Sequence, residues 1–416
     1  MTSATGLSPT GRHTARIPRA AAFWLVGSTL LAFMFAAGAP SPLYVVYQSK
    51  WGFSATTLTT VFAVYAVALL LALVTVGALS DHLGRRPVLM AALCTDFAAM
   101  ILFVLARDVG WLLAARAVQG FATGAATGTI SAYLIDLQPE RDPKLGALVN
   151  STAPTVGLAA GALGAGVLVQ YAPAPTTLVF VLLAVVFVAA LVTVALMPET
   201  VDRKHGALAS LRPRVGVPRH IRPQFLVVVP GLIATWALGG LYLSLGPSLA
   251  AGILGQHNHL VGGLVVFALT GAGSLGSILL RDAAPRRVMI GGSLVLAAGV
   301  VVSLVALAAP STPLFFLGTV LAGLGFGSTF LGAFRTLAGL ARPDERAELF
   351  AAVYMVSYLA FSLPAIAAGI AVTSLGLAHT ATVYGTVVMV LALGATVGLL
   401  LQKPRPERAC PLHQPA

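Results

Sequence analysis

Charge is what this chain has least of. Only 9% of its 416 residues are charged against 58% hydrophobic, too little polar surface to clothe a soluble particle of that size, so the chain belongs in lipid. Cysteine is nearly absent: Cys94 lies inside an apolar run and Cys410 near the C-terminus, too far apart in sequence and setting to suggest a disulfide framework or a cysteine metal site. None of the four lysines follows a glycine, so there is no G-x-x-x-x-G-K-[ST] phosphate loop. Nor is there an H-E-x-x-H zinc pair or a G-x-S-x-G nucleophile turn. These absences leave an ATP-driven pump or a polytopic enzyme without support, and we expect no catalytic residue, no metal and no cofactor.

Acidic residues number 13 against 25 basic ones, a formal net charge of +12. In a soluble protein that excess would suggest nucleic acid. Here the basic residues sit in short connectors between apolar runs, which marks topology rather than phosphate binding. Runs of about 20 apolar residues, the length that crosses a hydrocarbon core of roughly 30 Å, fall at 20–41, 57–79, 88–106, 111–133, 146–169 and 177–197, and again at 225–249, 260–280, 288–309, 314–334, 349–374 and 380–401. The first run is too long, and too rich in Pro and Gly at its end, for a cleaved signal peptide. With both termini inside, every basic residue except Lys50, Arg107 and Arg116 falls on the cytoplasmic side, as the positive-inside rule requires. The expected setting is a multi-pass protein of the plasma membrane with both termini cytoplasmic.

The chain divides into a tail 1–19, six spans over 20–197, a linker 198–224, six spans over 225–401 and a tail 402–416. The linker carries Arg203, Lys204, Arg212, Arg214, Arg219 and Arg222 with several prolines, and reads as a cytoplasmic connection between two bundles. A slide of 201 residues sets Asp282 under Asp81, Arg286 under Arg85, Arg287 under Arg86 and Gly325 under Gly124. Pro139, Glu140 and Arg141 after the fourth run resemble Pro343, Asp344, Glu345 and Arg346 after the tenth. These matches indicate an internal repeat.

Between the second and third runs the sequence reads G-x-L-S-D-x-x-G-R-R-P, with Gly77, Asp81, Gly84, Arg85, Arg86 and Pro87 at its marked positions. Gly77 permits close helix approach, Gly84 a backbone conformation that other residues resist, and Asp81 can pair with Arg85 and Arg86 across the turn. The turn reads as a conformational latch. Its second-half counterpart is degraded, Ile278 and Pro285 standing where Gly77 and Gly84 stand in the first.

Twelve spans, two related halves, a basic central linker and this motif together resemble the major facilitator superfamily. The resemblance implies an all-α, polytopic membrane protein with 12 transmembrane helices as two pseudo-symmetric six-helix bundles, a monomer that moves a small-molecule substrate by alternating access. It further implies that Asp81 faces the N-terminal end of the eleventh span, near 347–350, in the outward-open state. The fourth run carries Arg116, Gln119, Gly120, Gly124 and Gly128, similar to the superfamily's drug and proton antiporters. Its glycines share one helix face and suit close packing. The fifth run has Asn150, Pro154, Gly157, Gly161 and Gly164, similar to the antiporters' glycine-rich helix, with the proline earlier than in the family; small-residue packing alone also accounts for it.

Arg116 lies about 8 Å inside the outer end of its run and Asp96 about 12 Å from the cytoplasmic end of the third, by helical rise. Intramembrane ionisable groups mark pathways and relays, so both are coupling candidates; an outer-end arginine meeting headgroups and a carboxylate bonded to a neighbouring helix are the plainer alternatives. Tyr65, Gln119, Trp236, Tyr242, Tyr354 and Tyr358 are candidates for a substrate cavity, Tyr354 and Tyr358 sharing a face. Tyr44, Tyr47, Trp51 and Trp111 read as interfacial anchors, and His257 and His259 as solvated loop residues. A weakly polar, aromatic cavity suits hydrophobic or amphipathic solutes, cations included. The expected function is proton-coupled efflux of such solutes, with the proton gradient as energy source and protons and the bilayer as partners. A facilitator or proton-coupled importer of a small metabolite is the alternative.

Overall fold

A computed structural model describes residues 17–142, 145–202, 204–211, 215–342 and 345–402. Cys410, Arg203, Arg212, Arg214, Pro343, Asp344 and the side chain of Ala347 lie outside the described set. Among the described residues the regular structure is helical throughout. The first half contains α1 (Arg19–Gly38), α2 (Pro40–Trp51), α3 (Ala55–Val76), α4 (Ser80–Leu83), α5 (Arg85–Val104), α6 (Val109–Leu137), α7 (Leu145–Tyr171) and α8 (Leu178–Ala195). After α9 (Ala207–Ser210) come α10 (Arg222–Gly252), α11 (His259–Leu279), α12 (Pro285–Ala308), α13 (Thr312–Leu340), α14 (Arg346–Leu375) and α15 (Leu377–Leu401).

Eleven of these segments are long and apolar enough to cross a membrane, α1 and α2 counting as one run of 33 residues, Arg19–Trp51. The 29-residue α6 is the twelfth span. Arg116, Gln119 and its many glycines and threonines make it more polar than the rest, and it is the span that carries most of the candidate chemistry. The first span therefore runs ten residues beyond the expected end at 41. Its extension buries Tyr44 and Tyr47, each 2% exposed, with Tyr47 stacked on Trp51 at 4.9 Å. These two tyrosines are packed core residues rather than interfacial anchors.

The twelve spans form two six-helix bundles with matching contacts. In the first, α3 packs on α6, α1 on α7, α5 on α6 and α5 on α8; in the second, α11 packs on α13, α10 on α14, α12 on α13 and α12 on α15. Small residues make the matched seams possible. A Cβ added at Gly124 would lie 2.9 Å from Ala72 Cβ and 3.1 Å from the Leu69 carbonyl carbon; one at Gly323 would lie 2.9 Å from Ala272 Cβ and 3.1 Å from the Leu269 carbonyl carbon. The glycine equivalent to Gly124 is thus Gly323, not Gly325, which faces Leu296 of α12 instead. The structural repeat is one or two residues shorter than the 201-residue slide.

The bundles meet along α3 with α14 and α7 with α11. One end of the molecule carries the turn around Asp81, the connector before α10 and the start of α14; it is called the connector end here, and the other the far end. Bonds between bundles occur at the far end: Thr56 Oγ1 donates to Gly369 O at 3.0 Å, and the His259 amide to Gln170 Oε1 at 2.9 Å. Three of the helices entering from that end are capped by side chains, α3 by Ser54, α6 by Asp108 and α11 by Asn258, each supplying an acceptor to otherwise orphaned amides.

Candidate functional site

At the connector end, Gly84 adopts φ 100° and ψ 152°, a region only glycine enters without strain. The turn brings α4 back onto the start of α5. There Arg85, 8% exposed, donates from Nη1 to Asp81 Oδ1 and to Ser80 Oγ at 2.8 Å, and from Nε to Asp136 Oδ2 at 3.2 Å. Thr200 Oγ1 adds a bond to Asp136 Oδ2 at 2.9 Å. Glu199 accepts the backbone amides of Arg85 at 2.9 Å and Arg86 at 3.1 Å, placing a carboxylate on the positive end of α5.

Asp81 thus pairs with Arg85, while Arg86 takes part through its amide. Asp136 and Glu199, absent from the sequence-based candidates, tie the ends of α6 and α8 into the same network. Their only signal was position: a lone carboxylate at the end of the fourth run and another just past the sixth, level with Arg85.

The interior of the first bundle holds a second polar unit. Arg116 is 1% and Gln119 0% exposed. The guanidinium lies 3.9 Å from the centre of the Tyr65 ring, close enough for cation–π attraction. Its Nη1 donates to Gln119 Oε1 at 2.6 Å, and Gln119 Nε2 donates to Ala36 O at 2.8 Å. Arg116 therefore braces α6 against α1 and does not reach headgroups. Asp96 is 0% exposed, and neither of its oxygens has a hydrogen-bond partner among the described residues; the Arg116 charge acts on it.

Across from this unit runs a chain of half-buried aromatic rings. It begins at the connector end with Phe350 stacked on Phe334 at 4.7 Å and continues through Tyr354, Phe330 and Tyr358 to Trp236. Trp236 meets Phe361 at 5.6 Å, and Phe361 meets Phe62 of α3 at 4.8 Å, where the run reaches the first bundle. Tyr358 also packs against the group of Tyr65, Leu69 and Ala37. Tyr65, Trp236, Tyr354 and Tyr358 thus converge between the bundles. Tyr242 does not: its hydroxyl lies 3.3 Å from Ser303 Oγ and 3.2 Å from Thr319 Oγ1, and its ring stacks on Phe315, all within the second bundle.

The glycines of the fourth and fifth spans line helix seams. Gly120, Gly124 and Gly128 face α3; Gly157, Gly161 and Gly164 face Met34 and Phe35 of α1. Pro154 sits inside α7, one turn nearer the connector end. His259, half-buried, lies at the α7–α11 seam through its backbone. Among the described residues no cluster of histidine, cysteine and carboxylates could hold a metal ion.

A family model described as the Major Facilitator Superfamily matches residues 25–284. The class C tetracycline resistance protein of Escherichia coli is 35% identical over 109 residues, which make up 26% of this chain and only 26% of that relative's length. Among solved structures, a bacterial homologue of the human lysosomal transporter Spinster, in an inward-facing and unoccupied conformation, matches with a TM-score of 0.76 at 13% identity, covering 94% of this chain and 98% of that one. At that identity the likeness is one of fold. The family model spans well over half of the chain and agrees with the two-bundle architecture and the turn around Asp81: the chain belongs to the Major Facilitator Superfamily.

Proposed function

We propose that this chain is a secondary active transporter that works by alternating access and exports small hydrophobic or amphipathic solutes, cations included, from the cell in exchange for protons. Its two bundles, 20–197 and 225–401, rock as bodies about the space between them. The basic linker 198–224 and both terminal tails lie in the cytoplasm, and the protein acts as a monomer in the plasma membrane. One observation carries the reading: a continuous aromatic run, Phe350 to Trp236 and Phe361, ends beside a buried unit of Arg116, Tyr65 and Gln119, with unpartnered Asp96 in electrostatic reach. The run offers faces for apolar and cationic solutes, and the buried ionisable pair offers a site where proton binding can alter packing. Local likeness to a protein named for tetracycline resistance supports export.

The turn at Asp81 and its partners Arg85, Asp136 and Glu199 hold the connector end of the first bundle together, so that it moves as one body. The test is proton release from energised inverted membrane vesicles, followed with a pH-sensitive dye while lipophilic cations, antibiotics and small metabolites are added in turn. Solute-dependent alkalinisation of the lumen that is lost in Arg116→Ala vesicles is the expected result. Alkalinisation that survives Arg116→Ala would overturn the coupling role, and silence across the panel would overturn proton-driven export of these classes.

A further inference from the structure

Two prolines each deprive a buried carbonyl of its helical donor. In an α-helix the amide of residue i bonds the carbonyl of residue i−4, and proline has no amide hydrogen. Pro40, which opens α2, therefore leaves Ala36 O without that donor, and Pro247 inside α10 leaves Leu243 O in the same state. Each carbonyl is met by a side chain from a different helix. Gln119 Nε2 of α6 donates to Ala36 O at 2.8 Å, and Ser41 Oγ in the first turn of α2 donates to Leu243 O at 2.5 Å. Ser41 is 2% exposed, Gln119 0% and Leu243 5%.

The two bonds are in series. Gln119, itself held by Arg116, fixes the carbonyl just before the break at Pro40. Ser41 lies one residue past Pro40 on the same run, so the seating of that stretch decides where Ser41 falls. Ser41 then reaches into the other bundle, so its bond closes the far end.

We propose that Ser41 and Gln119 are positioning residues for the closed far end. Gln119 sets the break in the first span, and Ser41 satisfies a carbonyl of the opposite bundle that has no donor of its own. Parting the bundles there withdraws the hydroxyl and strands Leu243 O until water reaches it, and leaving a buried acceptor unmet costs more than an ordinary hydrogen bond contributes. The Ser41 bond thereby joins those of Thr56 and His259 at the closed end, with its donor placed against an acceptor that proline created. The rocking motion is taken from the proposed function; the two bonds and their partners are not.

The experiment needs no substrate, so its failure is distinct from failure of the export reading. A reporter cysteine at Val45, on α2 facing the Pro247 region, is placed in a background with Cys94→Ser and Cys410→Ser, and its rate of maleimide labelling is measured from the far side of the membrane. Ser41→Ala should raise the rate on the order of tenfold, the scale of one buried hydrogen bond lost. Pro247→Ala returns an amide donor to Leu243 O, so in that background Ser41→Ala should add little. Additive effects in the two backgrounds would overturn the proposal, because a residue that merely packs does not need the proline.

If Pro247→Ala fails to fold, Ser41→Thr against Ser41→Val decides: threonine keeps the hydroxyl and should label slowly, valine should label fast, and equal rates would overturn the proposal. For Gln119 the matching comparison is Gln119→Met with and without Pro40→Ala, read as melting temperature in detergent. The loss caused by Gln119→Met should shrink when position 40 regains its amide, and an undiminished loss would refute the clamp.

Discussion

Asp96 is a carboxyl group with no exposure and no hydrogen-bond partner for either oxygen among the described residues. The opposing charge that acts on it, Arg116, spends its Nη1 on Gln119 and its flat face on Tyr65. A group placed at such expense is retained for what it does rather than for stability, since a well-packed apolar residue is commonly as stable or more so. Asp96→Asn keeps the shape and removes the ionisable proton. It should lower pH-driven solute flux at least about tenfold while leaving solute binding within about twofold, the split expected of a coupling group; unchanged pH-driven flux would end that role. The turn at Asp81 shows how far sequence reaches at this scale. Asp81 and Arg85 are four positions apart on one short turn, and their pairing could be read directly. Asp136 and Glu199 lie 51 and 114 positions from Arg85, and only the three-dimensional return of α6 and α8 to the same end brings them there.

At the scale of the helix, hydropathy marks eleven spans strongly and the more polar α6 weakly, because a chain in lipid satisfies its backbone within helices. It located less well what each helix faces. The 201-residue slide sets Gly325 under Gly124, two residues and about 200° of helical turn from Gly323, which makes the equivalent contact. Residue type alone puts Tyr242 among the cavity candidates, and only packing says that its neighbours are Ser303, Thr319 and Phe315. The helix likewise runs on past Pro40 to Trp51 where the hydropathy signal fades. The α3–α6 seam gives a direct check. A side chain at Gly124 would run into the Leu69 backbone and Ala72 Cβ, so Gly124→Val should destabilise the first bundle by about 1–3 kcal/mol, the usual cost of overpacking. Gly323→Val should do the same to the second. Gly291→Val, where an added Cβ meets nothing within 4 Å, should leave the melting temperature in detergent nearly unchanged; a comparable loss at Gly291 would mean that the seams are not what sets tolerance.

For the whole molecule, the proposed alternating access makes the far end, where the inter-bundle bonds lie, the gate whose opening accompanies release or uptake on that side. The α7–α11 seam there brings backbone against backbone: a Cβ at Gly263 would lie 2.5 Å from Ala162 O and 3.3 Å from Gly166 Cα. Backbone cannot yield to a side chain as another side chain can, so Gly263→Leu acts as a wedge between bundles rather than a defect within one. Its core contacts inside α10 to α15 are unaffected, and the protein should fold with a melting temperature close to that of the parent. Reporter cysteines at the far end should then label at least about tenfold faster, and turnover should fall by a similar factor, since a transporter that cannot close one end cannot open the other productively. Gly394→Leu, on the open face of α15 with nothing within 4 Å of an added Cβ, serves as the control and should change neither. Full turnover with the wedge in place would mean that transport does not require this seam to close, and the rocking of two rigid bundles would have to give way to a local gate within one of them.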